Sequence, residues 1–198
     1  MSDAIAGALV GGLIGFISGL AVAVLSILWT YRRDQYGDAL VTHREYLSWL
    51  RGLVPECELI VACIEELRPT YEGMLTGGDL RCPTRRLNSD FLAAARLGVM
   101  KHPRGGHLFP RLTRAYRDVV HVNEMMSRFE TRYGEVASFP NPREAIQGIL
   151  RPTTECMPGV RASVEALLAA AREQEQLESL HPPTVWHLPI APIDRWPR

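Results

Sequence analysis

The hydrophobic pattern changes character twice along this 198-residue chain. From Ala4 to Trp29 an apolar run carries no charged residue, and Tyr31, Arg32 and Arg33 follow it directly. A run of 18 or more such residues reads as a membrane-spanning helix, because a helix satisfies its own backbone polar groups inside lipid. At 1.5 Å per residue the run reaches about 39 Å, longer than the ~30 Å hydrocarbon core, so tilt or interfacial ends are expected. After it the pattern becomes amphipathic and helical. After His181 it turns into a proline-rich tail.

Within the amphipathic part, Leu40, Tyr46, Leu47, Leu50, Leu53 and Val54 recur with a helical period. Gly37 is a point where this helix can loosen from the apolar one. Pro55 is placed to open a second segment, with Glu56 and Glu58 favouring a helix start. Leu59, Ile60, Cys63, Ile64 and Leu67 form its core stripe, and Pro69 is expected to close it. Residues 69–88 read as a long loop rich in Gly, Pro and Thr. A short helix is predicted from about Ser89 to Met100, capped by Asn88 or Ser89.

The run KHPRGGH, Lys101 to His107, makes a second break before a helix that Pro110 can open. That helix has the clearest two-sided pattern: Leu112, Tyr116, Val119, Asn123 and Met126 on one side, Arg114, Arg117, His121, Arg128 and Arg132 on the other. At 100° per residue the five basic positions fall within about 60° of one another. The helix is expected to fade near Gly134. Phe139 to Arg143 reads as a turn, Glu144 to Leu150 as a short helix, and Thr153 or Thr154 as the start of the last long one. Val160, Val164, Leu167, Leu168, Ala171 and Leu177 are its predicted buried stripe. The tail holds five prolines with Trp186 and Trp196, which suits an extended segment. It serves either as a strap over its own domain or as a docking peptide for a partner groove.

The expected fold is therefore all-α: a single N-terminal transmembrane helix, an antiparallel bundle of four or five helices, and an extended Pro/Trp tail. In domain terms these are residues 1–33 (anchor), 34–180 (bundle) and 181–198 (tail). The opening Met-Ser-Asp-Ala lacks a positive n-region and the apolar run is about twice the usual signal-peptide length, so an anchor is the expected reading. Arg32 and Arg33 follow the helix while Asp3 precedes it, which predicts an outside N-terminus and a cytoplasmic bundle. The address this implies is a plasma membrane, in bacteria the inner one.

Glycine adds a second pattern to the anchor. Gly7, Gly11, Gly15 and Gly19 recur every four residues. That places them on one slowly drifting smooth stripe, the spacing that lets two helix backbones approach closely in lipid. The expected partners are the bilayer itself and either a second copy or another membrane helix. Glycine is also simply frequent in spanning helices.

Charge sharpens the picture only locally. The chain holds 22 basic and 22 acidic residues, so global charge gives no reason to expect nucleic acid. Arg81 to Arg117 nevertheless carries nine basic residues and one acidic one, Asp90. This basic region could face anionic headgroups, an acidic protein, or the acidic helices of its own domain. No aromatic residues interleave with it as base stacking would need. The four cysteines, Cys57, Cys63, Cys82 and Cys156, show no CxxC spacing and read as buried free thiols in a cytoplasmic domain.

Signatures of catalysis are missing from the sequence: it has no GxSxG, P-loop, GxGxxG or HExxH motif. Glu178 with His181 gives one Glu-x-x-His pair where a di-iron bundle uses two, and Cys82, His102 and His107 lack zinc-site spacing. No cofactor and no enzymatic activity are expected. The reading that follows is an anchored interaction or regulatory module that self-associates through the glycines. Its rivals are an oligomerising pore-forming effector and a membrane-tethered bundle enzyme or metal protein.

Overall fold

The computed structural model describes residues 2–77, 85–136 and 141–183, with side-chain surroundings from Gly11 onward apart from Pro142. The regular structure it describes is entirely helical. α1 is Ser2–Thr76, α2 is Asp90–Lys101, α3 is Phe109–Val136 and α4 is Pro142–Leu180, with a 3₁₀ turn at Pro103–His107 between α2 and α3. The chain divides into two units, residues 1–43 with 182–198, and residues 44–181. The expectations for Cys82, Trp186 and Trp196 lie outside the described residues.

In the unit 44–181 every helix buries one stripe with three- and four-residue steps. On α1 the buried positions are Tyr46, Leu50, Leu53, Cys57, Ile60, Ile64, Leu67, Tyr71 and Met74. Alternating steps of three and four average 3.5 residues, the repeat that keeps one seam facing a partner helix along its length. α3 repeats the rule with Leu112, Ala115, Val119, Val122, Met126 and Phe129. α4 does so from Ile146 and Leu150 through Thr153, Met157, Val160, Val164, Leu167 and Ala171 to Glu178. Leu92, Ala95 and Val99 supply the seam of α2. The apolar members of these seams join in one core cluster.

That continuity corrects the expected breaks. α1 runs through Pro55 and Pro69, and α4 through Pro152 and Pro158. A proline inside a helix costs about 3 kcal/mol, because it removes a bond to the carbonyl four residues back and crowds that turn. All four prolines are exposed, and the carbonyls they strand belong to Arg51, Glu65, Gly148 and Thr154, of which the first three are exposed and the last is half-buried. Beyond Pro55, α1 still buries Cys57, Ile60, Ile64, Leu67, Tyr71 and Met74. At roughly 1.5–3 kcal/mol for each large apolar side chain, this gain exceeds the cost of two prolines. The helix therefore goes on until Gly77, whose φ of +104° is open to glycine at little cost.

Particular contacts fix how these helices meet. Arg51 pairs with Glu175 at 3.3 Å, Glu58 with Arg172, and Glu65 with Arg161 at 2.8 Å. Gln147 Nε2 donates to Leu75 O at 2.7 Å. Rising numbers along α1 thus meet falling numbers along α4. Exposed ion pairs of this kind contribute about 0–1 kcal/mol each, so they select register more than they stabilise. Between α1 and α2 the contact is reciprocal. The Trp49 indole lies against Gly98 of α2 where a Cβ would go, and the Phe91 ring lies against Gly52 of α1 in the same way. The two rings are 5.7 Å apart and tilted.

Residues 85–89 have no regular structure, yet Leu87 is buried. Asn123 of α3 explains this: its Oδ1 accepts from Leu87 N–H at 3.0 Å and its Nδ2 donates to Leu87 O at 2.7 Å. The side-chain amide replaces both backbone partners that a buried residue needs. Asn123 and Tyr116 flank the α3 seam, half-buried, instead of lying in it. Leu59 and Leu177, expected inside, are exposed.

Candidate functional site

Two surfaces are candidates: the outer face of α3, and the apolar part of α1. α3 buries its seam and leaves Arg114, Arg117, His121, Arg128 and Arg132 exposed on the side away from the core. The row from Arg114 to Arg132 is about 27 Å long at 1.5 Å per residue. Arg114 reaches Asp118 at 3.8 Å. Among the described residues Arg117, Arg128 and Arg132 make no ion pair. Elsewhere in the unit Arg51, Arg68, Arg85, Arg86, Arg161 and Arg172 each hold a glutamate, while Arg44, Arg96, Arg111, Arg143 and Arg151 make no ion pair among the described residues.

The far end of the row carries a shallow notch of about 330 Å³ between Glu124, Ser127, Arg128, Thr131 and Arg132. Two guanidinium groups and the Ser127 hydroxyl there suit carboxylate or phosphate oxygens, the Thr131 hydroxyl already donating to Ser127 O at 2.9 Å. Glu124 breaks the positive field at one point. No large apolar side chain on α3 is exposed among the described residues. Amphipathy identified this row from the sequence. The unpaired state of Arg117, Arg128 and Arg132 was not visible there, because pairing depends on which glutamates the other helices bring near.

On α1, the most apolar window is wholly unburied, and Leu13, Ile14, Phe16, Ile17 and Leu20 are each more than half exposed. A Cβ added to Gly11, Gly15 or Gly19 would have nothing within 4 Å. Gly7 lies in the α1 backbone, its surroundings outside the described side chains. Ser18 donates back to the carbonyls of Ile14 and Gly15, which satisfies its hydroxyl within the helix.

A third cluster was not anticipated. Glu178 is 1 % exposed, accepts from Arg104 at 3.1 Å, and takes a second bond from Gln174 at 2.8 Å. His181, the other half of the Glu-x-x-His pair, instead sets its Nδ1 3.1 Å from Leu177 O. Tyr46 is buried close to this pair and stacks flat on His102, ring centres 4.1 Å apart. Burial, with the Glu178 charge adding to it, pushes the Tyr46 hydroxyl up to about 12. Glu178 is held by two donors, whereas the Tyr46 hydroxyl is buried without a hydrogen-bond partner among the described residues; the cluster's signal in the sequence was a glutamate occupying a seam position.

Two of the thiols, Cys57 and Cys63, are buried as expected, whereas Cys156 is half-buried. Burial, then Glu56 and Glu58, raises Cys57 to about 12, and burial also raises Cys63. Raised thiols are poor nucleophiles at neutral pH. Among the described residues no three His, Cys, Asp or Glu side chains gather as a metal site would require. Compared with family models, with curated proteins and with solved structures, the chain matches none.

Proposed function

We propose that the chain is a single-pass membrane protein whose residues 34–180 form an antiparallel helical bundle acting as an interaction or regulatory module. One observation carries the reading. The first part of α1 exposes a continuous apolar surface, while the unit 44–181 gathers most of its large apolar side chains into one core and exposes Leu59, Leu97, Met100, Leu177 and Leu180. Soluble monomers rarely expose apolar patches beyond a few hundred Å², and lipid is the solvent in which such a helix needs no cover. Arg32 and Arg33 after the span favour a cytoplasmic bundle, with the N-terminus outside.

The open stripe of Gly11, Gly15 and Gly19 supports self-association in the bilayer. Measuring the oligomeric state of the full chain in lipid, beside Gly11→Leu/Gly15→Leu, tests it. A defined oligomer that the leucines dissolve is the expected result. A wild-type monomer contradicts self-association. The same open glycines favour a second reading, an oligomer that lines a pore. That reading predicts membrane depolarisation on overexpression, abolished by Gly15→Leu, where the module reading predicts none.

A further inference from the structure

We infer that the outer row of α3 binds an acidic helical segment of a partner protein, laid along Arg114, Arg117, His121, Arg128 and Arg132. The inference deepens the module reading above and rests on it. Its first ground is alignment. Arg117, Arg128 and Arg132 hold no glutamate among the described residues, and unlike the other unpaired arginines of the unit (Arg44, Arg96, Arg111, Arg143 and Arg151) they lie with Arg114 and His121 in one row on one helix face. Unpaired guanidinium groups in one straight row leave their donor forks available for carboxylates.

The second ground separates a protein from other polyanions. Glu124 lies inside the row, about 20° to 80° from its neighbours on the helix, and lines the same notch as Arg128 and Arg132. Nucleic acid and an anionic bilayer present negative charge everywhere, so each would repel Glu124 wherever it docked. A protein segment can place a basic residue opposite it and acidic residues opposite the arginines. Mixed charge of this kind sets register and rejects wrong partners. The third ground is what the face lacks. With no large apolar side chain exposed on α3, it has nothing to insert into a headgroup layer and no aromatic ring for a base to stack on.

The test uses the full chain held in nanodiscs of neutral phosphatidylcholine. The probe is a synthetic helix whose glutamates repeat the spacing of the five basic positions, with lysine at the place facing Glu124. A scrambled peptide of identical composition is the control, at near-physiological salt. Wild type is expected to prefer the patterned peptide by about tenfold or more, and Arg117→Gln/Arg128→Gln/Arg132→Gln to lose most of that binding. Glu124→Gln should shrink the preference. All three substituted positions are exposed, and an unchanged melting curve confirms that the variant is folded. Equal affinity for both peptides overturns the proposal, as does tighter binding of phosphatidylserine vesicles or duplex RNA. Loss of the protein from the nanodisc would instead contradict the membrane reading, so the two failures are distinct.

Discussion

Replacing Pro55 or Pro158 by alanine should stabilise the protein, although each proline is native. Both sit inside helices that continue on either side of them, and both are exposed, so neither ring supports the core. Each strands one carbonyl, that of Arg51 or Thr154, and crowds the preceding turn, at about 3 kcal/mol relative to alanine. Alanine returns part of this gain by enlarging the entropy of the unfolded chain, about 0.4–1 kcal/mol. The net expectation is about 2 kcal/mol per site. For a unit of this size that is a rise in Tm of roughly 4–8 °C. Thermal and denaturant unfolding of the full chain in lipid nanodiscs, followed by far-ultraviolet circular dichroism, reads the change. A neutral or destabilising effect at both sites would refute the reasoning, because it would mean that the helices turn at these prolines and do not run through them.

Other substitutions separate packing from propensity. Gly98→Ala should destabilise by about 1 kcal/mol: a Cβ there meets the Trp49 indole, and overpacking of about 1–3 kcal/mol exceeds the helix-propensity gain of about 1. Gly148→Ala, on the open side of α4, should instead stabilise by roughly 0.5–1 kcal/mol, and equal signs in denaturant titrations would contradict the contact. Arg104→Ala leaves the Glu178 carboxylate buried with Gln174 as a remaining donor. Breaking a buried pair costs about 3–5 kcal/mol, and with Arg104 itself 57 % exposed we expect about 2–3, checked by the same titration. Alkaline pH should weaken the fold. Tyr46 and Cys57 are held protonated up to about 12, so the unfolded chain releases their protons first. Stability is full below about pH 8.5 and falls as pH rises toward 12, at up to about 1.4 kcal/mol per pH unit for each group. A Cys57→Ala variant with an unchanged alkaline slope would contradict the thiol's share.

Much of this fold can be read from apolar spacing, and the misreadings share one cause. Leu50, Leu53, Ile60, Ile64 and Leu67 lie on one seam in sequence and in structure. Treating Pro55 and Pro69 as boundaries cut that seam in pieces, pulled Leu59 into the core and left Tyr71 and Met74 in a loop. Proline ends a helix only when the carbonyl it strands cannot be hydrated or when packing beyond it is weak, and neither holds here. A 3.5-residue repeat carried across the prolines would have joined the pieces. It would also have moved Leu177 outward and placed Glu178 inside. What no repeat can supply is partner identity: that Asn123 would clasp Leu87, or that Arg104 would reach Glu178, depends on how the connections fold. For the basic row of α3, the position of its residues was legible. Their freedom from glutamates was a property of the assembled unit.

The central claim is that the apolar part of α1 lives in lipid, and alkaline carbonate extraction of cell membranes tests it most directly. The full chain should stay in the membrane pellet, whereas Ile17→Arg, a charge near the middle of the run that costs about 2.5–3.5 kcal/mol to insert, should shift it toward the supernatant. Extraction of the unaltered protein, or retention unaffected by arginine at this site, would contradict the account.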